Sequence, residues 1–195
     1  MIVLIAPEQD ITNEFEILHQ LFQVGLEYYH LRKPHKDLNS YKAYLNEIDP
    51  YYHNRIVIHQ YHNLANDFNL KGLHFQELKR QETSIETRND IRNTSHMSIS
   101  SSFHSVEELT QCEFLFDYHL LSPVFSSISK AGYHGKEFNV NGIPKNIIGM
   151  GGVTTKNLNE FDALGYQGVG VLGGIWSSKT PIKDFKYILN HYSNN

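Results

Sequence analysis

This chain of 195 residues predicts a compact TIM (β/α)8 barrel, and three observations lead there. Apolar runs of about four to six residues recur along it, the length of strands buried on both faces in a parallel sheet. Stretches with helical apolar spacing separate most of these runs, the alternation of an α/β architecture. The last two runs each end in a glycine pair, Gly151-Gly152 and Gly173-Gly174, before a helix-like segment. Backbone N–H groups at such turns can approach an anion closely, and a barrel builds its phosphate site after its last two strands. A doubly wound open sheet is the alternative.

In chain order, Ile2-Val-Leu-Ile-Ala6 is the first strand; Ile11, Phe15, Leu18 and Phe22 mark a helix, with Gly25 as its stop. Tyr28-Tyr-His-Leu-Arg32 is the second strand, and Leu38, Tyr41, Leu45 and Ile48 form a helical stripe closed by Pro50. Arg55-Ile-Val-Ile-His59 is the third strand, followed by a short helix through Leu64, Ala65 and Phe68, and Gly72-Leu-His-Phe75 is the fourth. Residues 76–94 are polar with weak periodicity and read as a loop with a poor or shortened helix. His96-Met-Ser-Ile-Ser100 is the fifth strand; Ser105, three residues before Glu108, opens the next helix with capping-box spacing. Asp117-Tyr-His-Leu-Leu121 is the sixth. Residues 126–146 are rich in Ser, Gly, Lys and Asn, so a helix is expected to be lost or shortened there, leaving a long loop of the functional kind. Phe185, Ile188, Leu189 and Tyr192 supply the last helix, and residues 1–195 read as one domain with no linker or repeat.

Composition narrows the function. The barrel is short, since such folds typically take about 250 residues. Twelve Tyr, 11 Phe and 40% hydrophobic residues suffice for one sizeable core. A net charge of −4 with no long basic run gives nucleic-acid binding no support. The single Cys112 excludes an internal disulfide and a multi-cysteine zinc site. No run approaches membrane-spanning length, and the start lacks a basic region and a long apolar segment, so a cytoplasmic protein without membrane association is expected. The 12 His residues form no His-Glu-x-x-His helix and no compact cluster by spacing, so no metal ligand is assigned. Oligomeric state is left open, with room for a homo-oligomer.

Strand C-terminal ends are where a barrel places its chemistry. Taken in order they present Arg32 and Lys33, His59 and Gln60, His74, Ser102 and His104, then Ser127, Ser129 and Lys130. This set is cationic and hydrogen-bonding, without carboxylates, and it suits a phosphate or diphosphate rather than a divalent ion held by protein alone. His59 and His74 are equally readable as caps on backbone carbonyls, Lys130 as a mobile residue, and His104 as structural.

These motifs resemble the thiamine-phosphate synthase/TenI family over nearly the whole chain. The likeness is carried by His-Leu-Arg-Lys-Pro (30–34), Gly-Leu-His-Phe (72–75), Ser-Ser-Phe-His-Ser-Val-Glu-Glu (101–108) and Asp-Tyr-His-Leu-Leu-Ser-Pro-Val-Phe-Ser-Ser-Ile-Ser-Lys (117–130). It continues through Met-Gly-Gly-Val-Thr (150–154) and Gly-Val-Gly-Val-Leu-Gly-Gly-Ile (168–175), six motifs in order. The resemblance implies a protein of thiamin biosynthesis that joins an aminopyrimidine diphosphate to thiazole phosphate with release of diphosphate. It implies that Arg32, Ser102, Ser127, Ser129 and Lys130 handle the diphosphate and that Gly152 and Gly173 hold the thiazole phosphate. His30 stands where synthases carry Gln, and His59-Gln60 where they carry Asn and a magnesium-binding Asp; the second such Asp has no counterpart, Glu77 being the nearest carboxylate. Mg2+ is therefore expected only if synthase activity is retained, with Arg32, His59, His74 and Lys130 as the groups left to act. Two alternatives follow: a TenI-like thiazole tautomerase, whose usual histidine position holds Pro123, or a non-catalytic binder of thiazole phosphate.

Overall fold

The computed structural model describes residues 1–95, 97–126 and 134–193. Eight parallel strands close into a barrel in sequence order, β1 (Ile2–Ile5), β2 (Tyr28–Leu31), β3 (Ile56–Ile58), β4 (Gly72–Phe75), β5 (Ser98–Phe103), β6 (Tyr118–Leu121), β7 (Ile147–Met150) and β8 (Gly168–Val171). Closure comes from β1 against β8, with Val3 opposite Gly170. The open-sheet alternative is excluded.

Helices α1 (Glu14–Gln23), α2 (Leu38–Asn46) and α3 (Leu64–Asp67) follow the first three strands, and α9 (Pro181–Ser193) closes the ring beside α1. The stop expected at Gly25 is present. Its φ of +106° lets Gly25 N–H reach Phe22 O and Leu26 N–H reach Leu21 O, the paired bonds of a Schellman cap. A buried ion pair also ties the start of α1 to the turn after β2, because Lys33, 0% exposed, places Nζ 2.8 Å from Glu14 and reaches the more exposed Asp10 at 3.0 Å. Tyr44 O–H donates to the other Glu14 oxygen at 2.5 Å and contacts Tyr29 O–H at 2.6 Å.

Residues 76–94 correct the sequence reading. They form two helices, α4 (Glu77–Glu82) and α5 (Ile85–Thr94), the second capped by Ser84 accepting from Thr87 N–H. Their inward faces are arginine rather than aliphatic: Arg80 lies over the Phe103 ring at 4.2 Å, and Arg88 and Arg92 over Phe114 at 5.0 and 5.1 Å. Guanidinium planes on aromatic faces are favourable packing that hydrophobic periodicity does not register. Strand β5 begins and ends later than expected, its serines pairing from Gly72↔Ser98 through Ser102↔Leu120. Ser105 caps α6 (Val106–Gln111) through Glu108 N–H, but the Glu108 carboxylate pairs with Arg80 instead of turning back to complete a capping box. Among the described residues between β6 and β7 there is no helix.

Two apolar zones result. Most of the core lies between barrel and helices. A smaller one lies inside the barrel, where Val3, Ile5, Tyr118, Leu120 and Ile148 pack with Met150 and Leu172. The apolar half of the interior therefore comes mainly from β6, β7 and β1, with Leu172 just past β8. No helix among the described residues is long and apolar enough to cross a membrane.

Replacing one member of a buried ion pair strands the other charge, at a typical cost of about 3–5 kcal/mol. Lys33→Ala is expected to lose that much in urea unfolding, and Lys33→Met with Glu14→Gln to recover most of it. A loss of under about 1 kcal/mol, the value of an exposed pair, would contradict the structural role of Lys33.

Candidate active site

A cavity of about 650 Å³ opens at the C-terminal ends of the strands. Its volume is within the usual range of about 300–1,000 Å³ for small-molecule sites. One wall is the two glycine turns. After β7, Gly151 and Gly152 take φ of +112° and +66°, and a Cβ on Gly152 would lie 2.4 Å from Ser126 O. The next turn begins α8 (Gly173–Trp176), where a Cβ on Gly174 would lie 2.7 Å from Val153 O. The two turns thus press against each other and against the β6 loop, so only glycine fits at positions 152 and 174. Trp176 Nε1–H donates to Ile5 O at 2.7 Å and anchors α8 to the end of β1.

The opposite wall carries Arg32, His59, Ser102 and His104, with Gln76, Glu77, Leu78 and Lys79 at the start of α4. Arg32 is held over the mouth by Glu8 at 2.5 Å. His104 Nδ1 lies 3.1 Å from Ser122 O, and its Nε2 lies 3.5 Å from Glu77. Glu8, Glu77 and Glu82 all line the cavity, which corrects the reading of a mouth without carboxylates. Glu8 follows β1, at a strand end of the kind where a barrel places its chemistry. His104, read as structural, and Ser122 also reach the cavity; nothing in their local sequence distinguishes them.

Not every expected residue arrives at the cavity. Lys33 is committed to Glu14 and Asp10, and the side-chain oxygen of Gln60 accepts from Tyr41 O–H at 2.6 Å. Ser127, Ser129 and Lys130 lie outside the described residues. His30 and His74 sit beneath the cavity in the barrel interior, where they form a buried cluster with His59.

That cluster corrects the sequence reading of histidines too dispersed to meet. Positions 30, 59 and 74 lie on or just after three adjacent strands, with His30 opposite Val57 and Ile58 opposite Leu73, so all three rings turn inward at neighbouring levels. His30 Nδ1 lies 2.9 Å from His59 Nε2, and His30 Nε2 lies 2.6 Å from Tyr118 O–H. His74 bonds Ser100 at 2.8 Å and Ser102 at 2.7 Å, and stacks on His59 with ring centres 4.0 Å apart. His59 Nδ1 is buried without a partner.

Desolvation holds these imidazoles neutral. It lowers His30 to about 3, and lowers His59 and His74 well below the usual histidine value, with repulsion from the neighbouring rings adding to the effect on both. The cluster therefore contributes hydrogen bonds and lone pairs, not positive charge, and cannot balance a diphosphate as a cation.

With this geometry established, comparison with known proteins decides the family. A family model described as thiamine monophosphate synthase matches residues 2–175. The chain belongs to that family. A thiamine-phosphate synthase of Pasteurella multocida (strain Pm70) is 27% identical over 201 residues, covering 95% of this chain and 88% of its own. Another, from Listeria welshimeri, is 38% identical over 102 residues, 48% of this chain and 47% of its own. The crystal structure of a thiamine phosphate pyrophosphorylase from Bacteroides thetaiotaomicron superposes with a TM-score of 0.72 at 27% identity, covering 100% of this chain and 97% of its own. A Pyrococcus furiosus thiamine phosphate pyrophosphorylase shares the fold, with a TM-score of 0.78 at 15% identity, over 99% of this chain and 95% of its own. Family membership places the chain in thiamin biosynthesis.

The Mg2+ site implied by the family does not fit these residues. Mg2+ asks for carboxylate and water oxygens in near-octahedral order. Here the first expected position offers an amide already bonded to Tyr41, the second holds no Asp and its nearest carboxylate, Glu77, faces His104 at 3.5 Å, and Glu8 is engaged with Arg32.

Neutral buried histidines make stability fall with acid. Below about pH 6.5 the unfolded chain binds protons that the folded cluster refuses, so the unfolding free energy falls as pH falls. His119, lowered to about 4 by burial, adds to the effect. Between about pH 6 and 5, urea unfolding is expected to show a loss of more than about 1.4 kcal/mol, the most one such histidine gives. A flat profile would mean the cluster is hydrated and protonatable.

Proposed function

We propose that the chain joins an aminopyrimidine diphosphate to thiazole phosphate, releasing diphosphate and forming thiamin phosphate. One observation carries this reading: a single cavity has a glycine wall suited to a phosphate facing a guanidinium suited to a diphosphate. The family match supports it, as does the likeness over nearly full length to a protein named for this synthesis.

In the reaction the thiazole ring nitrogen gives its lone pair to the exocyclic methylene carbon of the pyrimidine. The carbon–oxygen bond breaks, and its electron pair leaves with the diphosphate. No proton moves, so a site whose imidazoles are neutral meets the need for orientation without requiring a general base. In this reading Gly151, Gly152, Gly173 and Gly174 hold the thiazole phosphate by backbone amides and fix the nitrogen's line of approach. Arg32 exchanges Glu8 for the diphosphate as charge builds on the leaving oxygen. Ser102 supplies a hydrogen bond beside it. The apolar side, Ile5, Leu120 and Met150, excludes water, which would otherwise trap an activated pyrimidine.

A proton shift within the thiazole is less well served. Pro123 lines the cavity where the tautomerase branch places its histidine, and the spare nitrogen of His59 is buried.

The test is thiamin phosphate formation by the full chain from the two substrates. Arg32→Ala is expected to lower kcat/KM by about 10²–10³-fold, the usual loss on removing a donor to transition-state charge. Arg32→Lys should restore part of it. Absence of product from the unaltered chain, or an Arg32→Ala variant with unchanged kcat/KM, would overturn the reading.

A further inference from the structure

We propose that His30, His59 and His74 form a binding site for one divalent transition ion of the zinc class, set in the barrel floor beneath the substrate cavity. The inference does not rest on the coupling reaction and holds for any activity of this chain.

The donor set is the first argument. The three rings offer nitrogen atoms that all lie within 4.8 Å of one another, with no carboxylate among them. Imidazole nitrogen suits zinc, copper, nickel and cobalt and is a poor ligand for Mg2+, which selects oxygen. Gln60, at the position of a magnesium-binding Asp, follows His59 directly, so the departure from the family's magnesium positions sits beside this nitrogen cluster.

Geometry is the second. In a tetrahedral site with zinc–nitrogen bonds of about 2.0–2.1 Å, neighbouring ligand atoms stand about 3.3–3.4 Å apart. His30 Nδ1 and His59 Nε2 are 2.9 Å apart, so this pair need open by only a few tenths of an ångström. His74 has farther to move, tilting away from its stack on His59. Two nitrogen atoms facing each other without an ion require a proton between them. Replacing that proton by a cation needs only a change of tautomer in whichever of the two rings donates it, leaving His30 Nε2 to donate to Tyr118.

The support around the rings is the third. A histidine ligand ordinarily gives its second nitrogen to a hydrogen-bonding partner that fixes its tautomer. Tyr118 does so for His30, and Ser100 or Ser102 does so for His74. The second nitrogen of His59, Nδ1, is buried without such a partner. Three side chains leave a tetrahedral ion one free position. His59 and Ser102 also line the cavity, so that position faces the substrate space.

The probe is Co2+, whose visible bands report tetrahedral nitrogen ligands, titrated into the chelator-treated full chain. One equivalent is expected to bind with such bands, to be displaced by Zn2+ and to resist excess Mg2+. His30→Ala, His59→Ala and His74→Ala should each weaken binding by at least about 100-fold, beyond the loss usual for a supporting residue. His35→Ala, which removes an exposed histidine, should leave binding unchanged. Circular dichroism identifies any variant that fails to fold, and for that position Asn or Gln keeps the polar volume while removing the ligand. Absence of a stoichiometric Co2+ band from the unaltered chain would overturn the proposal and leave the cluster a hydrogen-bonded polar core only. Binding retained by all three variants, or lost with His35, would overturn it equally.

Discussion

The register of the closed parallel barrel is the constraint on which the rest of this protein depends. Once Val3 is set opposite Gly170 and each later strand is paired in turn, alternate residues on every strand must point inward. The interior then divides without further choice. Strands β6, β7 and β1 fill their side with Leu120, Ile148, Met150, Val3 and Ile5, while β2 to β5 contribute His30, His59, His74, Ser100 and Ser102. The apolar side supports the glycine turns, and the polar side carries Arg32 and the imidazoles. A slip of one residue on β3 or β4 would send its histidine outward into the apolar layer against the helices, and the cluster would not exist.

Charge in the site follows from this division. Buried imidazoles pay a desolvation penalty when protonated, so they remain neutral, and the formal charges are confined to the rim. There Arg32 meets Glu8 and His104 meets Glu77, half-buried pairs that an anionic ligand can rearrange. Lys33, adjacent to Arg32 in sequence, points the opposite way and spends its charge on Glu14. Two neighbouring cations on one strand exit thus have separate tasks, one at the substrate cavity and one between helices.

The sequence disclosed the barrel because apolar strand runs and glycine pairs are local signals. It disclosed the glycine wall for the same reason. Helices α4 and α5 were obscured because their inward faces are arginines stacked on Phe103 and Phe114, a pattern that aliphatic periodicity cannot show. The histidine cluster was obscured for a different reason. His30, His59 and His74 lie far apart in sequence, and only the pairing register makes them neighbours. His59 and His74 were recognisable as strand-end residues, but their meeting with His30 required the closed barrel. Glu8 and Glu77 show the limit of reading residue type alone, since each carboxylate enters the cavity already matched to a cation or an imidazole.

Phosphate recognition by the two glycine turns is the proposal on which the site rests. Calorimetric binding of thiazole phosphate and of the corresponding thiazole alcohol tests it most directly, with no turnover required. The account predicts that the phosphate ester binds at least about 30-fold more tightly, some 2 kcal/mol or more for charge-assisted amide contacts. It also predicts that Gly152→Ala, which crowds Ser126 O, removes most of that difference. Equal affinity for ester and alcohol would contradict the account.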